Sequence, residues 1–300
     1  MTGRHTWLQL LRAPNLFTVP GDPLAGFLLA SFGVPGWQML AAMLASLCLY
    51  GAGLLDNDLA DFEEDQRERP SRPLPSGAAQ RSTVRWVAFL LVVCGLALCW
   101  SCGLRAFWAG AAVVVAIGTY NRGSKHLPVL GALNMGACRG LSLLIGAAAA
   151  PSQVLSSEVF TAAVLVALYI AAVTNLARHE TRATVPRSAK LWPAIVLFAG
   201  LGAVHAWERM GLASGAALGE VGMRFLLALA AGLAAWIAWQ LIQNAKAPVP
   251  PAIGRLIRLL LPVQAAFCVH TGSITGIAPG VVLLLLWPVS RAVSRRFYAS

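Results

Sequence analysis

The chain has 300 residues, 58% of them hydrophobic and only 12% charged, with a net charge of +11 at pH 7. A soluble domain carries about twice that density of charge, so an ordinary water-soluble globule is excluded. The excess of cations does not point to nucleic acid either, because it is spread loop by loop along the chain and not gathered on one segment.

A helical bilayer span needs about 20 apolar residues, with about 17 as a lower limit. Candidate spans lie at 16–33, 37–56, 83–102, 106–120, 128–149, 156–178, 191–207, 222–243, 254–272 and 276–291. Short alternating segments of the kind a β-barrel needs do not occur. The expected fold is therefore all-α: a polytopic transmembrane helical bundle forming one integral membrane domain over residues 1–300. Of the 23 Lys and Arg residues, nineteen fall at the start, in or beside the loops after spans two, four, six and eight, or in the tail. Arg105, Arg209 and Arg224 fall on the other side, and Arg139 falls inside a span. This positive-inside bias puts the basic loops in the cytoplasm.

The first span reads "LLRAPNLFTVPGDPLAG". No small-residue cleavage site follows it, so a removed signal peptide is not expected. Pro20, Gly21 and Pro23 should break the helix around Asp22, a rare charge at depth, and Asn15 is candidate polar lining. Seven of the twelve acidic residues then crowd between Asp56 and Glu68, at the end of span two. At 100° per residue, Asp58, Asp61 and Asp65 fall within about a 60° arc, and Asn57 leads a row with Asp61 and Asp65. Like charges on one face repel unless a cation sits among them. Carboxylates with an amide oxygen suit Mg²⁺, which binds through one or two carboxylates plus substrate phosphates. Arg67, Arg69 and Arg72 follow at once, and guanidinium forks grip phosphate oxygens. Acids for a cation beside arginines for phosphate describe a diphosphate site, and Pro70, Pro73 and Pro75 stiffen the loop that carries the arginines. A solvated acidic loop is the plainer alternative.

Span three holds a lone CxxC, Cys99 and Cys102, read as small buried hydrophobes and not as a metal or redox site. Span four ends in "TYNRGSK", with Tyr120 and Lys125. On their own these are an interfacial anchor and a topogenic cation. Span five carries Arg139, which should face a cavity and have a partner, and Gly136 with Gly140, a helix-packing GxxxG. The end of span six reads "TNLARHETR".

"NDLADFEED" with "RPSRPLPSG" resembles the first aspartate motif and the following arginine–proline loop of the UbiA superfamily of intramembrane prenyltransferases. The first span and "TYNRGSK" resemble corresponding parts of that family, and an EboC-like subgroup is the finer placement. The resemblance implies nine helices around a cavity open to the cytoplasm, with span ten as an addition. It implies an Mg²⁺ cofactor, an isoprenyl diphosphate donor, an aromatic or other lipophilic acceptor, and contact with membrane lipid but no nucleic acid. It implies that Asn57, Asp58, Asp61 and Asp65 bind metal, that Asp58, Asp61, Asp65, Lys125 and Tyr120 are catalytic, and that Asn57, Arg67 and Arg72 contact substrate. Arg139 and Asn15 are further substrate-binding candidates. The bacterial inner membrane, with the active site facing the cytoplasm, is the expected location. The family's second aspartate motif has no counterpart, since no Asp follows Asp65. Glu180, with Asn175, is a substitute metal ligand; Arg178 and Arg182 are the substitute if one metal suffices; loss of diphosphate chemistry, leaving a lipid-binding or transport protein, is the third reading. A CDP-alcohol phosphotransferase would need a paired Asp-Gly start that is absent.

Overall fold

The computed structural model describes residues 3–151, 156–180, 184–209, 217–244 and 247–294, and all regular structure among them is helical. The amino-terminal segment is cut into α1 (Gly3–Leu10), α2 (Ala13–Leu16) and α3 (Gly21–Ala30). Two features make the cuts. Arg12 sits in the left-handed region, φ 45° and ψ 57°, before Pro14, and the Pro20-Gly21-Asp22-Pro23 run follows. An L-residue in that region costs about 1–2 kcal/mol, so the turn is held by its surroundings. The expected span 16–33 is thus corrected: α3 is a ten-residue helix, buried along its whole length, and not a full-length span. Proline, which lacks the amide proton, and the turn at Arg12 deny it the upstream hydrogen bonds.

After α3 come α4 (Trp37–Ala60) and the short α5 (Phe62–Glu68). Then follow α6 (Arg81–Cys102), α7 (Leu104–Arg122), α8 (Pro128–Ala149) and α9 (Ser157–Ala177). The chain continues through α10 (Arg187–Arg209), α11 (Ala217–Gln243), α12 (Val249–Arg258), α13 (Leu260–His270) and α14 (Ile274–Ser294). Among the described residues eight helical segments are long and apolar enough to cross a membrane, with α12 and α13 counted as one. The other two of the ten expected spans correspond to α7 and the broken first segment. The result is a polytopic helical bundle.

Sequence neighbours pack side by side, and α3 lies in the middle against α4, α8, α9 and α13. Glycine sets the closest approaches. Gly136 and Gly140 of α8 lie under the carbonyls of Ala167 and Ala163 on α9, and Gly146 lies under the carbonyl of Pro23. In lipid the hydrophobic effect gives helices no reason to associate, so small residues that let backbones approach do this work. Large apolar side chains that remain exposed, such as Trp86, Phe89, Val282 and Leu285, form the lipid-facing surface of α6 and α14. Cys99 is buried, and Cys99 and Cys102 are free thiols.

Candidate functional site

The acidic cluster does not lie on one unbroken helix. α4 stops at Ala60, Asp61 joins it to α5 with φ −88° and ψ 3°, and α5 carries Asp65. The helical hydrogen-bond ladder nevertheless runs through the joint, Asp61 N to Asn57 O at 2.9 Å and Asp65 N to Asp61 O at 2.8 Å. The i, i+4, i+8 row of Asn57, Asp61 and Asp65 is therefore preserved. Asn57 Nδ2 donates to Asp61 Oδ2 at 2.9 Å.

Each motif carboxylate has a basic partner from a different part of the fold. Arg72, on the loop after α5, donates both to Asp65 Oδ1 at 2.8 Å and to Asp65 Oδ2 at 2.6 Å. Lys125, in the turn between α7 and α8, pairs with Asp61. Arg12 approaches Asp58 at 3.6 Å. Asp56, the first acid of the run, accepts from Asn121 Nδ2 at 2.7 Å, which fastens α4 to α7.

Asn57, Asp61 and Asp65 line a chamber of about 440 Å³ at the charged end of the bundle. Around them stand Arg12, Arg69, Arg72, Lys125, Arg178, Glu64, Glu68 and Glu180. Asn15, Tyr50, Tyr120 and Arg139 line it deeper, and Ile170, Val173, Ile253, Ile257 and Leu260 of α9, α12 and α13 form an apolar wall. A smaller pouch opens beside it. The two share Arg12, Tyr50, Leu54, Asn57, Tyr120, Met135 and Arg139, and the pouch is closed by Leu49, Val113, Ile145 and the hydrogen-bonded hydroxyls of Ser46 and Ser142, 2.6 Å apart.

Arg139 has the partner its depth demands. Its Nε lies 2.7 Å from Asp22 Oδ2, and Nη2 donates to the Thr18 carbonyl at 2.8 Å. Gln264 Nε2 donates to the other oxygen of Asp22 at 2.6 Å. Asp22 sits in the first turn of α3, where the helix dipole favours an anion.

Several expectations change. Arg67 is exposed, donates to the Glu63 carbonyl at 3.2 Å and is not a wall residue; Arg69 takes that place, because α5 ends at Glu68 and the chain then turns inward. Asp58 pairs with Arg12, which is itself a wall residue, and is not among the residues that line the chamber, although it stays close to Asp61, Asp65 and Arg72. Arg182 lies outside the described residues. Asn175 offers its carbonyl to His179 Nδ1 at 2.8 Å and is not a wall residue. Arg12, Glu64 and Glu68 were not singled out by sequence. Arg12 had a legible signal, an arginine three residues before Asn15 in a Pro-broken helix start. The Glu64 and Glu68 signal was their i, i+4 spacing.

The donor chemistry fits Mg²⁺: oxygen ligands only, two carboxylates and an amide on one face. Among the described residues no three Asp, Glu, His or Cys side chains converge closely enough to hold an ion by themselves.

A helical membrane bundle with a carboxylate-and-cation chamber at one end and an apolar interior defines the class: an intramembrane enzyme or carrier for a lipid with a highly charged head. The sequence profile of the UbiA prenyltransferase family matches residues 23–260, and the chain belongs to that family. Digeranylgeranylglyceryl phosphate synthase of Thermococcus gammatolerans is 30% identical over 194 residues, covering 64% of this chain and 69% of the relative. The Thermococcus kodakarensis protein of the same name is 27% identical over 146 residues, 48% of this chain and 52% of its own length. Among solved structures, a UbiA homologue from Archaeoglobus fulgidus bound to DMAPP and Mg²⁺ superposes with a TM-score of 0.65 at 15% identity, covering 94% of this chain and 99% of that one. A digeranylgeranylglyceryl phosphate synthase structure gives the same TM-score of 0.65 at 18% identity, covering 90% and 99%.

Proposed function

We infer that this protein is a Mg²⁺-dependent intramembrane prenyltransferase, one catalytic domain that takes an isoprenyl diphosphate and alkylates a lipophilic acceptor. The observation that carries this reading is the single chamber in which Asn57, Asp61 and Asp65 face Lys125, Arg69 and Arg72 at one end and an apolar wall at the other. Family membership supports it, as does the ligand set of the Archaeoglobus fulgidus homologue. The positive-inside bias turns the charged end toward the cytoplasm.

Asn57, Asp61 and Asp65 would hold the metal. Mg²⁺, when bound, neutralises diphosphate charge and so makes it a better leaving group. Lys125 and Arg72 hydrogen-bond the diphosphate oxygens once they give up their carboxylates. The C–O bond at the allylic carbon breaks and its electron pair stays on the diphosphate. The acceptor atom bonds to that carbon and loses its proton to a diphosphate oxygen. Cations fixed beside the leaving group stabilise the transition state more than the ground state, because the charge builds there. Ile170, Val173, Ile253, Ile257 and Leu260 keep water from the allylic cation, which water would quench. The relatives' shared name favours a prenylated glyceryl phosphate over an aromatic ring as acceptor.

The test is purified protein with Mg²⁺, labelled donors of several chain lengths, and membrane lipid as acceptor. A prenylated product, identified by mass and abolished by Asp61→Asn, is expected. One observation favours a second reading, a lipid carrier without chemistry: the end of α9 presents Arg178 and Glu180 to the chamber and no aspartate. Under that reading donor binds and is never consumed.

A further inference from the structure

The small pouch beside the chamber has no role in the chemistry assigned to the chamber. It lies between α4, α7 and α8. Its α4 wall is a single stripe: Ser46, Leu49, Tyr50, Gly53, Leu54 and Asn57 recur at helical spacing and so share one face. The stripe continues to Asp61, one helical turn past Asn57 and inside the chamber. The diphosphate end and the pouch are therefore two ends of one helix face. A hydrocarbon chain leaving a diphosphate held at Asn57 and Asp61 runs along that face into the pouch. The apolar wall of the chamber belongs to other helices, α9, α12 and α13.

The walls of the pouch are mostly apolar, and polar groups on them are already engaged. Ser46 and Ser142 hydrogen-bond each other at 2.6 Å. Arg139 is held by Asp22 and the Thr18 carbonyl, and Asn121 donates to Asp56 at 2.7 Å. A polar ligand would lose its water there without gaining partners, whereas a hydrocarbon has no such loss. Dimensions narrow the choice further. The pouch encloses about 80 Å³, against the ~150 Å³ of a cavity that takes up benzene, so it has room for the end of a branched chain and not for a ring. From Asn57 to Ser46 the α4 face runs about 16 Å at ~1.5 Å per residue. An isoprene unit advances about 5 Å, the zigzag of its chain bonds of ~1.5 Å, so that length holds about three units. The first units lie in the mouth that pouch and chamber share, at Tyr50, Leu54 and Met135, and the last fills the blind end.

We propose that the pouch receives the far end of the donor's isoprenoid tail, and that its blind end, at Ser46, Val113, Ser142 and Ile145, selects a farnesyl donor. The Ser46–Ser142 bond ties α4 to α8 there and fixes the depth. A geranylgeranyl tail has one unit too many for the face. The apolar wall on α9, α12 and α13 is left to the acceptor. This assignment rests on the diphosphate reading of the chamber and adds the length of the donor to it.

The test uses the full chain with Mg²⁺ and a farnesyl S-thiolodiphosphate that carries a diazirine on its last isoprene unit. The thio link resists cleavage, so labelling reads binding and position without turnover. Photolabelled peptides should come from α4, α7 and α8, around Ser46, Val113 and Ile145. Labelling on α9, α12 or α13 instead overturns the proposal. Unlabelled S-thiolodiphosphates then compete with the probe. Farnesyl should displace it at about tenfold lower concentration than geranylgeranyl, the usual cost of overfilling a closed site. Ile145→Ala, which deepens the blind end, should bring geranylgeranyl level with farnesyl. Val113→Phe, which fills it, should shift the farnesyl-to-dimethylallyl competition ratio about tenfold toward dimethylallyl. Each comparison is a ratio within one preparation, so a loss of folded protein does not mimic it. Equal competition by geranylgeranyl and farnesyl in wild type, or a length preference that neither variant moves, also overturns the proposal. Labelling that needs no Mg²⁺ and that no S-thiolodiphosphate displaces has a different meaning: it refutes the donor reading of the chamber, and this proposal with it.

Discussion

Removing one charge of the Arg139–Asp22 pair should hurt more than removing both. Asp22 is wholly buried, and Arg139 nearly so. Arg139→Met deletes the contact to Asp22 Oδ2 at 2.7 Å and the hydrogen bond to the Thr18 carbonyl at 2.8 Å. It leaves a carboxylate at depth with Gln264 Nε2, at 2.6 Å, as its donor. Breaking a buried ion pair by deleting one partner costs about 3–5 kcal/mol. In Asp22→Asn/Arg139→Gln no charge remains to be stranded, and Gln264 can still bond the side chain at 22. Swaps that remove both charges are often near neutral, so the double variant should cost about 1 kcal/mol. Fraction folded in a detergent–SDS titration, followed by tryptophan fluorescence, measures both. A double variant as unstable as Arg139→Met would refute the reasoning, since the loss would then come from packing at position 139 and not from an uncompensated charge.

Lys125→Met should lower turnover by about 10²–10³-fold, the usual effect of losing one preorganised donor at a centre of developing charge. Its effect on stability should be small, because the pair with Asp61 is partly exposed; steady-state kinetics and an unfolding curve on one preparation check both halves. Arg69→Ala should weaken donor binding by about 10–100-fold, as for a lost hydrogen bond to a charged group, whereas Arg67→Ala should bind donor like wild type; equal losses would contradict the placement of these neighbours. Gly136→Val should cost about 1–3 kcal/mol by forcing α8 away from the Ala167 carbonyl, and wild-type stability would show that the helices slide apart freely.

The sequence carried the bundle and the diphosphate end because both are written in local patterns. Apolar runs of span length announce helices whatever they pack against, and the Asn57, Asp61, Asp65 row needs only the helical period. What it did not carry depends on where helices stop. Arg67 and Arg69 are chemically the same two positions apart. Which of them enters the chamber is decided by α5 ending at Glu68, a boundary that no residue pattern in "FEEDQRERP" marks sharply. Asp58 fits the acidic arc, and what the pattern does not show is that Arg12, from a helix break far upstream, comes to pair with it. The break before α3 was legible in Pro20, Gly21 and Pro23, and the left-handed turn at Arg12 was not. The bounds 16–33 followed the segment's apolar composition, and the turn at Arg12 together with the expected break shortens the helix to ten residues.

The pairing of Asp61 with Lys125 and of Asp65 with Arg72 bears on how such a chamber can exist at all. Carboxylates packed this closely repel one another, and so do the cations that face them. With each set neutralising the other, the chamber folds without substrate at little electrostatic cost. On the proposed assignment, metal and diphosphate binding are coupled: the ion alone would strand Lys125 and Arg72, and the diphosphate alone would strand Asp61 and Asp65. Donor affinity should therefore rise steeply with Mg²⁺, and Mg²⁺ affinity should rise by the same factor with a non-hydrolysable donor, as linkage requires. Calorimetric titrations of each ligand in the presence and absence of the other measure that factor. Independent binding of the two would show that the observed ion pairs do not compete with either ligand.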